Sequence, residues 1–408
     1  ITTCGAQRLA SMLDATKPPE PYRVAKRQHH VACRRRHDRS CRLSARYRTF
    51  NLHCVPRKGE LSNKPLPSHD YIYSASSGSH MLNVRRITST EQLAGLRDDW
   101  DRLSAGMPLR GFAWHSSWWH HFGGHAELFV LVIRDESLAV VGIAPWFIEQ
   151  RSGQGRVIAS LGSGEVCSDY QSILVEAKHA DAVTDAIADW LDAAADSDNA
   201  WDLLHLDAIT TNDETMTKLV EQLWTAGHTV HREAGPNCWR IELPATWEEY
   251  VKALSKSHRK QVRRFQRRQL ETGRATSHIA RSEQELKHGF KILVELHQRR
   301  RQSLGQPGCF ASPEFKGFLH DAASQLLANN QLCLSWIEIE GTPAAVEFQL
   351  SGAQVTYAYQ AGVNPDLLDE EPGRIINIAT IRHAMEQGQR FFDFLRGDEP
   401  YKAHWRAQ

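Results

Sequence analysis

The chain has 408 residues, of which 41% are hydrophobic and 24% are charged, as in ordinary soluble globular proteins. This length allows two domains, and since no run of 18 or more apolar residues occurs, no transmembrane helix is predicted. The formal net charge of +1 hides an asymmetry, because residues 1–80 carry 15 basic and 5 acidic side chains whereas the remainder carries 34 and 43. We therefore expect a mildly acidic folded body preceded by a basic segment.

Residues 1–80 show neither helical nor strand periodicity, and a serine-rich run closes the segment. Their composition, rich in proline, histidine and arginine, is typical of disorder. We predict a disordered or non-native basic tail ahead of a start at Met81; the alternative is a nucleic-acid-binding arm. The cysteines and histidines of the segment lack the close cysteine pairs of zinc sites, so no metal is predicted.

Two mixed α/β units follow, and we predict domains at residues 81–243 and 244–408. In the first, apolar residues at helical spacing predict an amphipathic helix: Leu93, Leu96, Trp100 and Leu103. Further elements of this unit are predicted as strands at 128–133, 138–147 and 201–206 and helices at 178–195 and 214–226. Those of the second are predicted as helices at 283–303, 313–328 and 374–386 and strands at 331–340, 344–350, 354–361 and 391–395.

A strongly basic helix is predicted near the start of the second unit. Thr246 and Glu249 have the spacing of a capping box, and an apolar stripe follows at Val251, Leu254, His258, Val262 and Phe265. The other faces carry eight basic residues: Lys252, Lys256, Arg259, Lys260, Arg263, Arg264, Arg267 and Arg268. Because such one-sided charge favours an anionic partner, we expect an anionic polysaccharide, a membrane surface or tRNA here, and no specific DNA binding.

The most informative segment is the run FFDFLRGDEPYK at residues 391–402. It resembles the FDF-x-RGDEPYK signature of the acetyltransferase family associated with cellulose and exopolysaccharide biosynthesis, within the GNAT superfamily. Other segments match that family in order: Trp118-Trp119, VGIAP at 141–145, Ser168-Asp169-Tyr170, the basic helix, Leu296-His297-x-Arg299-Arg300, Gly341-x-Pro343-Ala344-Ala345, Tyr357-x-Tyr359 and Pro372-Gly373.

The resemblance covers residues 82–405 and implies an α/β fold of two tandem GNAT-like domains, as in the Fem peptidoglycan-branching transferases. GNAT domains normally continue for one or two strands past the last matching segment. We therefore expect the second domain either to be truncated at its end or to be completed in another way.

The resemblance also implies that acyl-CoA places its pyrophosphate at the start of the helix near residue 374. Glycine at a helix start lets backbone N–H groups approach a phosphate. The expected donor contacts are Pro372, Gly373, Arg374, Asn377 and Arg396. For Arg396 the alternative is an ion pair with a carboxylate. Because the chain lacks the Q/R-x-x-G-x-G/A run of many CoA-binding GNAT enzymes, the identity of the acyl donor stays open.

Acyl transfer needs a base for the acceptor's proton and an acid for the leaving thiolate. Glu399 or Asp398 is the expected base, and Tyr359 or Tyr401 is the expected acid, with Lys402 in the same cluster.

Two further carboxylates could have either a catalytic or a structural role. Glu347 is a second candidate base because it interrupts an apolar strand; the alternative is an outward-facing strand residue. Asp393, between two phenylalanines, is interpreted as a structural hydrogen-bonded carboxylate rather than a catalytic one.

Four basic residues are expected to contact the acceptor or an anion: His297, Arg299, Arg263 and Arg264. For His297 and Arg299, which lie near the end of a helix, the alternative is a favourable interaction with the helix dipole.

Three functions are compatible with these patterns. The first is a CoA-dependent O- or N-acyltransferase acting on a polysaccharide or cell-envelope precursor, in the cytoplasm or peripheral to the inner membrane. The second is a Fem-like aminoacyl-tRNA-dependent transferase, although the chain has no space after Gly273 for the helical hairpin common in Fem enzymes. The third is a non-catalytic assembly factor of polysaccharide synthesis.

Overall fold

The computed structural model describes residues 47–57, 70–74 as backbone, 81–195, 197 and 199–408. The strands are β1 (Thr49–Val55), β2 (Asp70–Ser74), β3 (Met81–Ile87), β4 (Glu127–Leu128), β5 (Val130–Arg134), β6 (Val140–Ala144), β7 (Trp146–Arg151), β8 (Gly155–Ser160), β9 (Leu174–Val175), β10 (Leu203–Thr210), β11 (Thr229–Ala234), β12 (Cys238–Glu242), β13 (Ala275–Ile279), β14 (Leu332–Ile339), β15 (Thr342–Ser351), β16 (Val355–Val363) and β17 (Phe391–Arg396).

The α-helices of these residues are α1 (Thr90–Ala94), α2 (Arg97–Leu103), α3 (Phe112–Phe122), α4 (Ala180–Ala194), α5 (Glu214–Thr225), α6 (Trp247–Ala253), α7 (Lys256–Phe265), α8 (Glu283–Gln302), α9 (Pro313–Ala328), α10 (Pro372–Glu386) and α11 (Pro400–His404). Each helix is too short or too polar to cross a membrane, within the part of the chain that is described.

The first half contains two sheets. One has the strand order β11-β1-β10-β8-β7-β4, and the other has the order β2-β3-β5-β6-β9. The chain changes sheet at Pro145, between β6 and β7. Helix α4 buries Ile187, Trp190 and Leu191 in the core that these sheets share, so the mixed α/β character predicted for this half is confirmed.

Strand β1 corrects the prediction of an unstructured tail. It lies between β10 and β11 and pairs antiparallel with both, and the side chains of Leu52 and Cys54 are fully buried. Alternating burial of this kind marks a strand, but seven residues with polar neighbours are too short to stand out among the arginines and histidines around them. The backbone of β2 also pairs, with β3; residues 1–46, 58–69 and 75–80 lie outside the described residues.

The second half is built on one sheet with the order β12-β17-β16-β15-β14-β13. Alternate residues of β15 face opposite sides: Val346 and Phe348 pack against α8 and α9, whereas Ala345 packs with α7 and α10. The hairpin order of β14, β15 and β16 is as predicted. The chain passes from α7 to β13 through a short π-helical turn, Gln266–Leu270, so the absence of a long inserted hairpin is confirmed.

Strand β12 belongs to the second sheet, although it lies before the predicted boundary at residues 243 and 244. It precedes residue 244, yet it pairs antiparallel with β17 of the second sheet, from Cys238 opposite Arg396 to Glu242 opposite Phe391. The backbone of Gln408 then exchanges two hydrogen bonds with Arg240 on the other edge of β12. One edge of β17 is therefore paired with a strand that comes earlier in the chain. No local sequence pattern could reveal this pairing.

Aromatic side chains join the two halves. The Trp114 ring of α3 packs edge-on against Phe318 of α9 and Tyr359 of β16, with ring centroids 4.8 and 4.9 Å apart. All three residues belong to, or pack against, a single hydrophobic cluster that includes residues from both halves. The halves are thus held at a fixed relation around this cluster.

Candidate active site

The sheet of the second half opens between β16 and β17. The two strands run parallel and pair only where Val355, Thr356 and Tyr357 face 391–393, although both continue beyond that point. A bulge in the β15–β16 ladder, between Phe348 and Gln349, lies at the same level. Since ligands of α/β sheets bind near the carboxyl ends of parallel strands, we expect a ligand to bind at this opening.

The amino-terminal end of α10 carries the predicted donor contacts Pro372, Gly373 and Arg374. The Gly373 amide has no acceptor among the described residues, and a Cβ at Gly373 would only touch Val363, at 3.7 Å. Arg374 binds Glu371 at 2.8 Å and the Gln261 amide oxygen at 2.9 Å. The residues fit a phosphate, provided that the carboxylate of Glu371 is displaced from Arg374.

The other two predicted donor contacts lie apart from this helix end. Asn377 is half-buried one turn further along α10. Arg396 pairs with a carboxylate, the alternative to a phosphate contact, since its guanidinium binds the Asp169 carboxylate at 2.7 Å and the Ser168 carbonyl at 2.8 Å. It is a link between the two halves of the chain.

Glu347 is a buried carboxyl group in the middle of β15. Its Oε2 atom accepts hydrogen bonds from Thr380 of α10 at 2.9 Å and from Gln349 at 3.1 Å. The residue is 5% exposed, and burial raises its pKa from 4.5 to about 7 because an apolar environment disfavours the charged form. It does not face outward from the sheet, as the alternative interpretation required.

Tyr401 interacts electrostatically with Glu347 and with Glu399. Burial raises the pKa of the Tyr401 hydroxyl far above 10, and the neighbouring charges of Glu399 and Glu347 raise it further. The Glu399 carboxylate folds back over Gly397 and pairs with Lys402 at 2.9 Å. Of the predicted catalytic residues, Tyr401 of α11 is thus within electrostatic reach of both Glu347 of β15 and Glu399.

Lys402 has a structural position. It is 2% exposed, and its ammonium group donates to the carbonyls of Leu395, Arg396 and Gly397 at 3.1, 2.9 and 3.0 Å. All three N–H donors of the ammonium group are engaged, so Lys402 fixes the end of β17 and holds Glu399 rather than moving a proton.

Asp398 and Tyr359 lie away from the cluster. Asp398 is exposed and accepts hydrogen bonds from Asn237 at 3.0 Å and the Trp239 indole at 2.9 Å. The Tyr359 hydroxyl donates to the carbonyl of Val166 in the first half at 2.8 Å. As the acid in this cluster, Tyr401 is favoured over Tyr359.

The structural interpretation of Asp393 agrees with the geometry. It is fully buried and accepts hydrogen bonds from Tyr170 at 2.5 Å, Arg240 at 2.9 Å and the Leu395 amide at 2.7 Å. Sequence reasoning missed Arg240, whose partner lies 153 positions away. Tyr170 belongs to the segment Ser168-Asp169-Tyr170 that carries part of the family resemblance, but no local pattern indicated that Asp393 is its hydrogen-bond partner.

His297, which was expected to contact the acceptor or an anion, is buried. It is 2% exposed, and burial lowers its pKa to about 4. Its Nδ1 lies 3.0 Å from the Ala361 carbonyl and its Nε2 lies 3.4 Å from Cys309 Sγ, while burial raises the pKa of the Cys309 thiol to about 12. The pair is neutral, and only the fold brings the two side chains together.

The three arginines that were predicted to contact anions are on the surface and have acidic neighbours. Arg299 binds Asp366 at 2.6 Å, Arg263 lies 3.6 Å from Glu248, and Arg264 lies 3.4 Å from Glu371. The last contact places α7 beside the start of α10.

Comparison with known proteins gives a family match within the second half. Residues 256–403 match the family described as acetyltransferase (GNAT) domain. This part of the chain is therefore similar to a GNAT acetyltransferase domain. A cellulose-biosynthesis type is a finer assignment than this match supports, and no curated protein matches the chain.

The solved structure of FemX agrees with this fold. FemX is similar with a TM-score of 0.55 and 11% identity, over 76% of this chain and 93% of that one. The carboxy-terminal domain of a candidate lysylphosphatidylglycerol synthetase from Agrobacterium fabrum has a TM-score of 0.46 and 10% identity, over 78% and 90%. At such identities the FemX likeness shows the fold alone, and the predicted Fem-like α/β architecture is confirmed.

Proposed function

We propose that the protein transfers an acyl group from acyl-CoA to a hydroxyl or amine of a polysaccharide or cell-envelope precursor. The observation that carries this proposal is the Glu347 carboxyl group, whose pKa of about 7 suits a general base at neutral pH. A GNAT domain at residues 256–403 supports acyl transfer as the reaction.

In this mechanism Glu347 accepts the proton of the acceptor while the acceptor oxygen or nitrogen attacks the thioester carbonyl. The new C–O or C–N bond forms, the C–S bond breaks, and the departing thiolate takes a proton from Tyr401. Thr380 and Gln349 hold one oxygen of Glu347 by hydrogen bonds. Lys402 positions Glu399 beside Tyr401.

The start of α10 would hold the donor's phosphates. Gly373 offers a free backbone donor, and Arg374 and Arg264 supply positive charge once Glu371 moves aside. Phosphate binding at a helix start uses the same unpaired amides and dipole as other anion sites.

A second candidate donor is an aminoacyl ester carried on tRNA. The exposed cations of α7, which reaches the start of α10 through Arg264, favour a polyanionic donor. The acyl transfer chemistry at Glu347 would be unchanged, since only the leaving group differs. A non-catalytic role is the outcome if neither donor binds.

The test is a thermal-shift comparison of free CoA, acetyl-CoA, longer acyl-CoAs and aminoacyl-tRNA, because a ligand of the native state raises the melting temperature. We expect acetyl-CoA or a longer acyl-CoA to give the largest shift. Gly373→Val should abolish that shift while circular dichroism stays native, as the site has room for the side chain without bound phosphate. A shift with aminoacyl-tRNA alone would replace the acyl-CoA proposal.

A further inference from the structure

A cluster of histidine and aspartate lies outside the candidate active site, where α3 of the first half meets α9 of the second. His121 Nε2 is 2.6 Å from Asp321 Oδ2, and the ring of His120 meets that of His121 edge-on at 4.7 Å. One ligand atom from each of the three side chains lies within 4.8 Å of the others. His120 is exposed and the other two are half-buried.

We propose that these three side chains bind a divalent transition metal, with Zn²⁺ as the best match. Two imidazoles and one carboxylate are ligands that Zn²⁺ prefers, and three protein ligands leave a fourth position for water. Bonds of roughly 2.0–2.1 Å in a tetrahedral site place ligand atoms roughly 3.3 Å apart. His121 and Asp321 would separate slightly, and the exposed His120 side chain would turn inward.

The surroundings favour such a site. A Cβ at Gly317, one turn before Asp321 on α9, would lie 2.5 Å from the His121 ring, so the missing side chain is what lets this histidine reach α9. His320 Nδ1 lies 4.0 Å from the other oxygen of Asp321, too far for a hydrogen bond, so His320 stays outside the ligand set.

Access to the cluster is provided by a cleft of about 710 Å³, which His120, Asp321 and Arg97 help to line. Glu347, Glu399 and Tyr401 are not among the residues of this cleft. The bound metal would join α3 to α9 and so fasten the two halves, independently of acyl transfer. The proposal does not rest on the proposed function.

The test uses the full chain after treatment with a chelator. Titration with Zn²⁺ in a calorimeter should show one equivalent bound, with a rise in melting temperature that the chelator reverses. Co²⁺, as a spectroscopic substitute, should give the visible absorption of a low-coordinate nitrogen and oxygen site.

The variants are chosen to keep the fold. His120→Ala removes an exposed ligand, and Asp321→Asn preserves shape; each should weaken Zn²⁺ binding by more than the 10- to 100-fold typical of losing an outer-shell partner. His125→Ala, which removes an exposed histidine just after α3, is the matched control and should bind normally. Failure of the native protein to bind Zn²⁺, or unchanged binding in both ligand variants, would overturn the proposal.

Discussion

Arg396 of β17 and Asp169 of the first half form an ion pair with 2.7 Å between guanidinium and carboxylate, and their side chains are 12% and 1% exposed. The Arg396 amide also donates to the same carboxylate at 3.1 Å. The first residue of the RGDEPYK run at 396–402 therefore connects the two halves of the chain.

Replacing Arg396 by Met should destabilise the protein by about 3–5 kcal/mol, because Asp169 would remain buried without its counter-charge. Urea denaturation measures the free energy of unfolding. Arg382→Met is the control: Arg382 pairs with Glu386 on the exposed side of α10, and its loss should cost within about 0.5 kcal/mol. Equal effects of the two substitutions would contradict the importance of the buried pair.

Glu347→Gln should lower turnover by about 10²–10⁴-fold, the usual effect of removing a general base. Since the base works when ionised, the native activity should rise with pH through about 7, the pKa of Glu347, and the variant should lose this rise. Asp398→Asn, at an exposed carboxylate bound to Asn237 and Trp239, should leave turnover nearly unchanged. A silent Glu347→Gln in an active enzyme would remove this residue as the base.

The basic helix α7 should bind polyanions with an affinity that falls steeply with salt, as counterion release and screening require. Arg263, Arg264, Arg267 and Arg268 are exposed, so reversing all four charges should abolish binding without unfolding the chain. The predicted apolar stripe of the helix is buried at His258, Val262 and Phe265, which keeps these variants folded. Binding of heparin or tRNA that ignores both salt and charge would show that the face is only solvated.

Strand β1 should be indispensable. Leu52→Asp places a charge at a fully buried position between β10 and β11 and should cost more than about 4 kcal/mol, or prevent folding. Val55→Asp, at a 47% exposed position in the same strand, is the matched control and should fold. Equal soluble yield and melting temperature for both would mean that the strand does not contribute to the sheet in solution.

Acid should destabilise the protein through its buried histidines. Burial lowers the pKa of His297 to about 4 and that of His115 to about 3, below the 6.5 of an unfolded chain. Above pH 6.5 each histidine is neutral in both states, and the free energy of unfolding does not depend on it. As the pH falls from 6.5 towards the folded-state pKa, the free energy of unfolding decreases, because the unfolded state binds more protons. Between pH 6.5 and 4.5 each histidine contributes a slope of up to about 1.4 kcal/mol per pH unit. Unfolding measured across this range in His297→Gln should show the slope reduced by that amount; an unchanged slope would exclude His297.

Local patterns were sufficient for much of the second half. The capping box of Thr246 and Glu249 is formed, since it depends on residues three positions apart. The start of α10 and the hairpins of β14, β15 and β16 also agree with the sequence patterns. Such features depend on residues close together in the chain. The resemblance carried by the 391–402 run then led to the prediction of a GNAT-like fold.

What the sequence by itself determined is thus the GNAT-like α/β class, the basic face of α7 and the pool of residues from which a site could be built. The tertiary structure decided which of them meet: it placed Tyr401 within electrostatic reach of Glu347 and of Glu399, and it paired Arg396 with Asp169. It also placed β12 beside β17 and β1 between two later strands. The physical reason is that strand pairing and burial act between residues distant in the chain, and it is burial that turns Glu347 from an ordinary carboxylate into a group that titrates near neutrality.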